Sequence, residues 1–454
     1  MKVGEQIELT LENLALGGEA VARTDNGMVV FVRGGVPGDR ARVELTKRKR
    51  QFAIGTIIEL LEPSALRITP RCEYFGKCGG CKWQYLDYHD QLRFKQQQVA
   101  EALGRIGKLQ DVTVNDIIGM ESPWYYRNKM EFTFGWDDNE GVILGQHVAG
   151  RWDQLVDLHT CYLQSEASVE IFALCREFAR KHKLSVFSTA TGEGLLRHVV
   201  VREGKHTGDI MVNIVTSGEY FPQLDRFVRY LLAGYPLITG IILTINRLRG
   251  QSSQGQEEQL IFGAPTITEI LNKLSYEISA RSFFQTNTIQ AEQLYRTIQR
   301  MADGNGEGIA VDLYCGTGAI ALHLASQYQT VYGVELVEEA VLNAKQNAEK
   351  NNIANVSFHC GEVQKVLSGL VPSAPDLIVV DPPRAGLSRK VVRDILKVSP
   401  RQIIYVSCNP ATLARDVAMF TDGGFEMVEV QPIDMFPHTY HIETIVNLMW
   451  NVKC

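Results

Sequence analysis

Between residues 6 and 61 apolar and polar positions alternate in five short runs, at 6–11, 19–23, 28–32, 41–46 and 52–61. A period of two puts every second side chain on one face, the pattern of half-buried strands. Asn26-Gly27 and Pro37-Gly38-Asp39 punctuate the runs as turns, because these residues adopt the backbone angles that tight turns need. Five strands in so short a stretch predict a small barrel of the oligonucleotide-binding kind. The period then changes. Over residues 87–103, Tyr88, Leu92, Val99, Ala100 and Leu103 recur among polar residues and predict a helix ending near Gly104. From Tyr125 to about Phe262, strand patterns at 130–134, 195–202 and 210–216 mix with a helix over 168–182, which predicts an α+β unit.

Beyond Phe283, strand and helix alternate. Ile289, Leu294, Ile298 and Met301 share one helical face, residues 309–314 form an apolar strand, and a helix follows over 319–326. The next strand spans 330–334 and the next helix 337–350, with Ala340, Val341, Ala344 and Ala348 on one face. Val379-Val380 and residues 403–408 continue the apolar strands, and 428–435 with 444–450 read as a closing pair. This alternation predicts an open, mostly parallel sheet that binds ligands at the carboxyl ends of its strands. The expected chain is multi-domain: a small β-barrel over 1–62, a central α+β domain over 63–282 and an α/β Rossmann-like domain over 283–454.

The net charge of −6 gives no global attraction to nucleic acid, so any such binding must come from local basic patches. Lys47-Arg48-Lys49-Arg50, expected in the turn before the last barrel strand, is the clearest one, and Phe52 beside it could stack on a base. Tyr126-Arg127-Asn128-Lys129 and Leu196-Arg197-His198 place further cations beside strands, where they could clasp phosphates. No apolar run reaches the length of a membrane helix and the amino-terminus lacks the apolar core of a signal peptide, so no membrane and a cytoplasmic location are expected. Three of the nine cysteines, Cys72, Cys78 and Cys81, lie close together, and Cys161 is the available fourth. Inside a cell such a group serves metal or catalysis instead of disulfides. Four thiolates suit zinc or an iron–sulfur cluster, and spacing does not separate the two. Cys175 and Cys360 fall in apolar runs and are expected in the core.

Asp381-Pro382-Pro383-Arg384 is a rigid turn after a buried strand, since each proline fixes its own φ and restricts the residue before it. Cys408, at the end of the neighbouring strand, would face the same crevice. Cys315-Gly316-Thr317-Gly318 lets a ligand approach the backbone, and Glu335 ends the next strand, placed for two ribose hydroxyls. A nicotinamide cofactor would suit such a turn. The short Gly-x-Gly, the Asp-Leu-Tyr strand leading into it and the downstream Asp-Pro-Pro-Arg favour S-adenosylmethionine. A thiolate at 408 could add to C6 of uracil and turn C5 into a nucleophile, after which a base must remove the C5 proton. Glu443, at the start of the last strand, is the candidate base; the bland alternative is an exposed edge charge.

The stretch from Val30-Phe31-Val32 to Val36-Pro37-Gly38-Asp39 resembles the TRAM domain, an RNA-binding barrel. The whole set resembles the RNA (uracil-5-)methyltransferase family, in its TRAM-bearing, cluster-containing branch that methylates 23S ribosomal RNA. The matching motifs are Cys72-x5-Cys78-x2-Cys81 with Cys161, Ser282-Phe283-Phe284-Gln285-x-Asn287, Asp312-Leu313-Tyr314-Cys315-Gly316-Thr317-Gly318, Asp381-Pro382-Pro383-Arg384-x-Gly386, Ser407-Cys408-Asn409-Pro410 and His441-x-Glu443. The resemblance implies a class I methyltransferase domain, Cys408 as nucleophile and Glu443 as base. It implies that Gln285, Tyr314, Glu335 and Asp381, with Gly316 and Gly318, hold S-adenosylmethionine, and that Cys72, Cys78, Cys81 and Cys161 hold a [4Fe-4S] cluster. It also implies that the helix near 87–103 packs on the catalytic domain. The transfer-RNA branch is expected to share only the catalytic half, so barrel and cysteines favour 23S ribosomal RNA as partner, bound by a monomer with no obligate protein partner. Transfer RNA is the alternative substrate. From other classes, an exocyclic-amine methyltransferase is disfavoured by Arg384 and Cys408, and a non-catalytic RNA-binding scaffold by the intact Gly316, Gly318, Glu335 and Cys408.

Overall fold

The computed structural model describes residues 2–109, 112–218, 220–369 and 374–451. The first unit is a six-stranded sheet in which Gln6–Thr10, Arg40–Arg48, Phe52–Glu62, Val29–Arg33, Ala20–Arg23 and the two-residue Asn13–Leu14 neighbour one another in that order. Alternation along these strands turns Leu9, Val30, Val32, Val43 and Leu45 inward. Asp39 is fully buried, and its carboxylate accepts from Val36 N at 2.7 Å and Ser64 N at 2.9 Å while pairing with Arg67. The turn is thus tied to the chain leaving the unit. Lys47 and Arg48 extend the fourth predicted strand, with Lys49 and Arg50 beyond it, and all four are exposed. Phe52 is half-buried edge-on against Phe31, ring centroids 5.5 Å apart.

The central unit is a seven-stranded sheet, in the order Glu257–Gly263, Gly240–Ile245, Ile210–Thr216, Leu196–Glu203, Lys129–Asp137, Gly141–Val148 and Arg151–Asp157. The helices Glu166–Lys181 and Leu224–Gly234 pack on it through Phe172, Phe178 and Phe227. One sequence expectation fails here. Arg197 is buried and donates to the carbonyls of Asn246 at 3.0 Å and Leu248 at 2.7 Å, and to Gly250 O, so it holds a loop and is not free to clasp a phosphate. Arg127, by contrast, is only half-buried, beside Tyr126 and the cysteines.

The third unit is a seven-stranded sheet. Val356–Cys360, Thr330–Glu335, Ile309–Leu313, Leu377–Val380 and Gln402–Ser407 run parallel, followed by the antiparallel pair Glu443–Trp450 and Phe425–Ile433. Strand order reverses between Ile309–Leu313 and Leu377–Val380, and the crevice at such a switch point is where open α/β sheets bind ligands. The hairpin Thr266–Leu271 and Leu274–Ser279 packs into this core through Ile267, Leu271, Tyr276 and Ile278, so the core reaches upstream of residue 283. Cys360 is exposed, because it ends the edge strand. Ile289 is 50% exposed on the outer side of the helix Thr288–Met301.

The helix Tyr88–Arg105, capped by Asp87, lies between the first and third units. Val99, Ala102 and Leu103 enter the catalytic core. Ala100, expected on the apolar face, is exposed, while Gln91, Lys95 and Gln98 are buried. A helix covered on two sides buries polar positions too, and each then needs a partner. Gln98 Nε2 donates to Leu14 O at 3.3 Å and Ala15 O at 3.0 Å in the barrel. Among the described residues no helix is long and apolar enough to cross a membrane.

Candidate active site

One wall of the crevice is the turn after Ile309–Leu313. Tyr314, Gly316 and Gly318 all have positive φ, of 65°, 53° and 84°. A Cβ at Gly318 would lie 2.7 Å from the Phe358 ring, whereas nothing lies within 4 Å of one at Gly316. The first glycine therefore closes helix Ala319–Leu324 onto the sheet, and the space above the second stays open. Glu335 turns its carboxylate to this loop: Oε2 accepts from Gly316 N at 3.1 Å, and Oε1 from Leu336 N and Val337 N at 2.8 and 2.9 Å. Beneath it Asp312 is fully buried; Oδ2 accepts from Ala321 N at 2.9 Å and Oδ1 has no protein partner. Gln285 lies just before the helix Thr288–Met301; its backbone carbonyl accepts from Asn128 Nδ2 of the central unit at 2.8 Å, and buried Asn287 caps the helix.

The other wall is built by neighbouring strand ends. Asp381 follows Leu377–Val380, and its N–H reaches Leu313 O at 3.4 Å. Cys408 comes directly after Gln402–Ser407, and Ser407 is paired with Thr444, the neighbour of Glu443, so the pairing brings Cys408 and Glu443 together and the Glu443 charge acts on the thiol. Glu443 is only 6% exposed, which removes the reading of a solvated edge charge. Burial, then the Asp381 charge, push its pKa well above the carboxylate range, opposed by Arg384. Asp381 is pushed up by burial to about 7. The Cys408 thiol is pushed up to about 11 by burial and then by Glu443, while the Arg384 guanidinium, which hydrogen-bonds to it, pulls the other way. Arg384 Nη2 also stands 3.4 Å from the ring nitrogens of His441, whose pKa burial and Arg384 lower to about 4. Arg384 is thus the cation of the site. It belongs to the Asp-Pro-Pro-Arg motif, but nothing in the order of residues aims it at the thiol. Tyr295, buried among the fields of Asp381, Asp312 and Glu443, is a residue that sequence reasoning missed, since its helical spacing carries no sign of these neighbours.

The Asp381 carboxyl carries a consequence for stability. In the unfolded chain it titrates near 3.8 and in the folded chain near 7, so between those values the folded form holds the extra proton and stability falls as pH rises. The expected result is that ligand-free Asp381→Asn loses less stability than the parent between pH 5 and 7, by up to about 1.4 kcal/mol per pH unit. Denaturant unfolding at the two pH values measures it; parallel losses in both proteins would refute the assignment.

Cys72, Cys78, Cys81 and Cys161 line one small cavity in the central unit. Gly79 N bonds to His147 O at 2.9 Å, and Tyr74 OH accepts from His159 N at 3.2 Å, which brings the two segments together. Gly80 N points at Cys78 Sγ, 3.4 Å away, and backbone N–H groups of Leu163 and Gln164 favour a thiolate at Cys161. Burial raises Cys78 to about 11 and Cys81 to about 12, with the neighbouring thiols adding to it. Among the described residues no three ligating side chains are gathered around a point fit for a single ion.

Residues 306–436 match the family model described as a methyltransferase domain, and residues 1–58 the one described as a TRAM domain. A protein of Halalkalibacterium halodurans described as an uncharacterized RNA methyltransferase is 38% identical, over 97% of this chain and 96% of its own. One of Porphyromonas gingivalis with the same description is 38% identical, over 98% and 100%. The crystal structure of the Pyrococcus abyssi tRNA (uracil-54, C5)-methyltransferase in complex with S-adenosyl-L-homocysteine is similar with a TM-score of 0.79 at 30% identity, covering 98% of this chain and 100% of that one. A transfer-RNA enzyme is therefore similar along the whole chain, which overturns the expectation that the likeness stops at the catalytic half.

Proposed function

Because the chain belongs to the RNA methyltransferases that carry an amino-terminal TRAM domain, we propose that it methylates C5 of a uridine through a covalent Cys408–C6 adduct. The observation that carries this reading is the approach of Cys408, Glu443 and Asp381 at neighbouring strand ends, where both carboxyl groups act on the thiol. Gly316, Gly318, Tyr314, Glu335, Asp381 and Gln285 are proposed to hold S-adenosylmethionine. Open space above Gly316 and the unpartnered Asp312 Oδ1 fit a polar nucleoside ligand there. When bound, the donor supplies an electrophilic methyl group. Arg384 stabilises the Cys408 thiolate, whose addition to C6 forms the C6–S bond and makes C5 nucleophilic. After methylation Glu443 takes the C5 proton, and the C6–S bond breaks to restore the thiolate.

The four cysteines are proposed to hold a [4Fe-4S] cluster, supported by their common cavity and by the N–H groups aimed at Cys78 and Cys161. Such a group supplies a crosslink between residues 72–81 and residue 161. Iron and acid-labile sulfide in equal amounts in anaerobically purified protein support it, and zinc without sulfide refutes it.

For the substrate we propose 23S ribosomal RNA, from the motif resemblance, acted on in the cytoplasm by a monomer. The second reading is transfer RNA, favoured by the whole-length similarity to the Pyrococcus enzyme. Mapping 5-methyluridine in both RNA classes from a strain lacking the gene decides between them. Loss of a ribosomal modification supports the first reading, loss confined to transfer RNA replaces it with the second, and loss in neither overturns both.

A further inference from the structure

Lysine and aspartate are rarely buried completely, and a buried ion pair gives little net stability because both ions lose their water. Lys95 and Asp434 are nevertheless both fully buried, with Nζ 2.6 Å from Oδ1. Lys95 belongs to the helix Tyr88–Arg105, and Asp434 opens the connection between the last two strands. That connection leaves the sheet at Ile433 and returns at Glu443, and those two residues are register partners. Whatever fixes residues 434–442 therefore fixes where Glu443 starts.

The fixation comes from outside the catalytic sheet. Lys95 Nζ also donates to Phe436 O at 3.1 Å, and Tyr88 OH donates to Asp434 Oδ2 at 2.9 Å. Lys82 N and Trp83 N, just after Cys81, donate to His438 O at 2.8 and 3.1 Å. His438 has a φ of 64°, unfavourable for a residue with a side chain, and its ring stacks on Trp124 at 3.8 Å. At the far end of the connection His441 meets Arg384, the cation beside Cys408.

We infer that Lys95 is a positioning residue for Glu443: held by the helix between the barrel and the catalytic sheet, it sets the connection 434–442 through Asp434 and so aims the base at C5. The inference rests on the C5 reading above. Lys95→Met alone would strand a buried charge, so the test uses the double variant Lys95→Met/Asp434→Asn, whose amide keeps one oxygen for Phe436 N and turns its NH2 group to the Tyr88 hydroxyl as acceptor. A misplacement of about 1 Å costs roughly 100-fold. The expected result is a kcat lower by about that factor, KM values within about twofold, and a methylated protein–RNA adduct accumulating on a denaturing gel. Tyr88→Phe, which removes one hydroxyl, provides the same test in a chain with a smaller disturbance and is expected to show a weaker accumulation. Parent-like turnover in both variants overturns the inference. So does loss of turnover without adduct in a variant that still binds S-adenosylhomocysteine and RNA, because a merely structural role would slow every step. Parent enzyme is run in parallel on 5-fluorouridine RNA, whose C5 fluorine cannot leave as a proton. Absence of a stable adduct there counts against the C5 reading itself, whereas its presence confines any failure to the role of Lys95.

Discussion

Cys408→Ala is expected to lose methyl transfer by about 10⁴-fold or more while still binding S-adenosylhomocysteine and RNA. C5 of uracil is too weak a nucleophile to attack a methyl sulfonium unless C6 has first accepted a nucleophile, and Cys315, in the opposite wall, is buried beside Asp312 and Glu335. The side chain is only partly buried, so removing one sulfur changes packing little and leaves the strand ends in place. Serine at the same position is expected to fail as well, because its hydroxyl is far harder to ionise than a thiol beside Arg384. Transfer of labelled methyl groups to RNA, with donor binding measured on the same preparation, checks this. Parent-like activity in Cys408→Ala would sink the covalent route.

For Glu443→Gln the expected outcome is different in kind: the first turnover goes forward and the enzyme stops. The amide cannot accept the C5 proton, so the C6–S bond cannot break, and methylated RNA stays attached to the protein through denaturation. Loss of a general base slows the step it serves by about 10²- to 10⁴-fold. The raised pKa of Glu443 in the ligand-free protein adds a sign to the parent enzyme. The base acts only when deprotonated, so release of product is expected to quicken as pH rises above the ordinary carboxylate range. A denaturing gel resolves the adduct and single-turnover kinetics the two phases. Rapid multiple turnover by Glu443→Gln would remove this residue from the mechanism.

Much of the site was legible because it sits at the ends of apolar runs. Asp381 and Cys408 terminate strands whose continuous hydrophobicity marks them as interior, and interior parallel strands have their carboxyl ends at one edge. The positive φ at Gly316 and Gly318 was legible for a similar local reason, since the backbone there turns at once from strand to helix. What failed was reading burial from polarity. Gln91, Lys95 and Gln98 read as a solvated face, yet the helix carrying them is covered on both sides. Arg197 read as a free cation, yet backbone carbonyls of its own unit saturate it. Cys360 read as core because its run is apolar, but nothing in a run says that its strand lies at an edge. Glu443 was chosen by motif, and its depth came only from the antiparallel pairing that brings it to Cys408. The RNA class is not legible from which units the chain carries, since a transfer-RNA enzyme is similar over its full length; it rests on the motifs alone and on the mapping that tests them.

The strand Glu443–Trp450 lies between Gln402–Ser407 and Phe425–Ile433, both earlier in the chain. During synthesis its two neighbours emerge first and must stay parted, or part again, until it arrives. Insertion of that strand closes the hydrogen-bonded ladder of the sheet. On the proposed reading the same event would bring the base to the nucleophile, so a chain lacking residue 443 would have the thiol without the means to release an adduct.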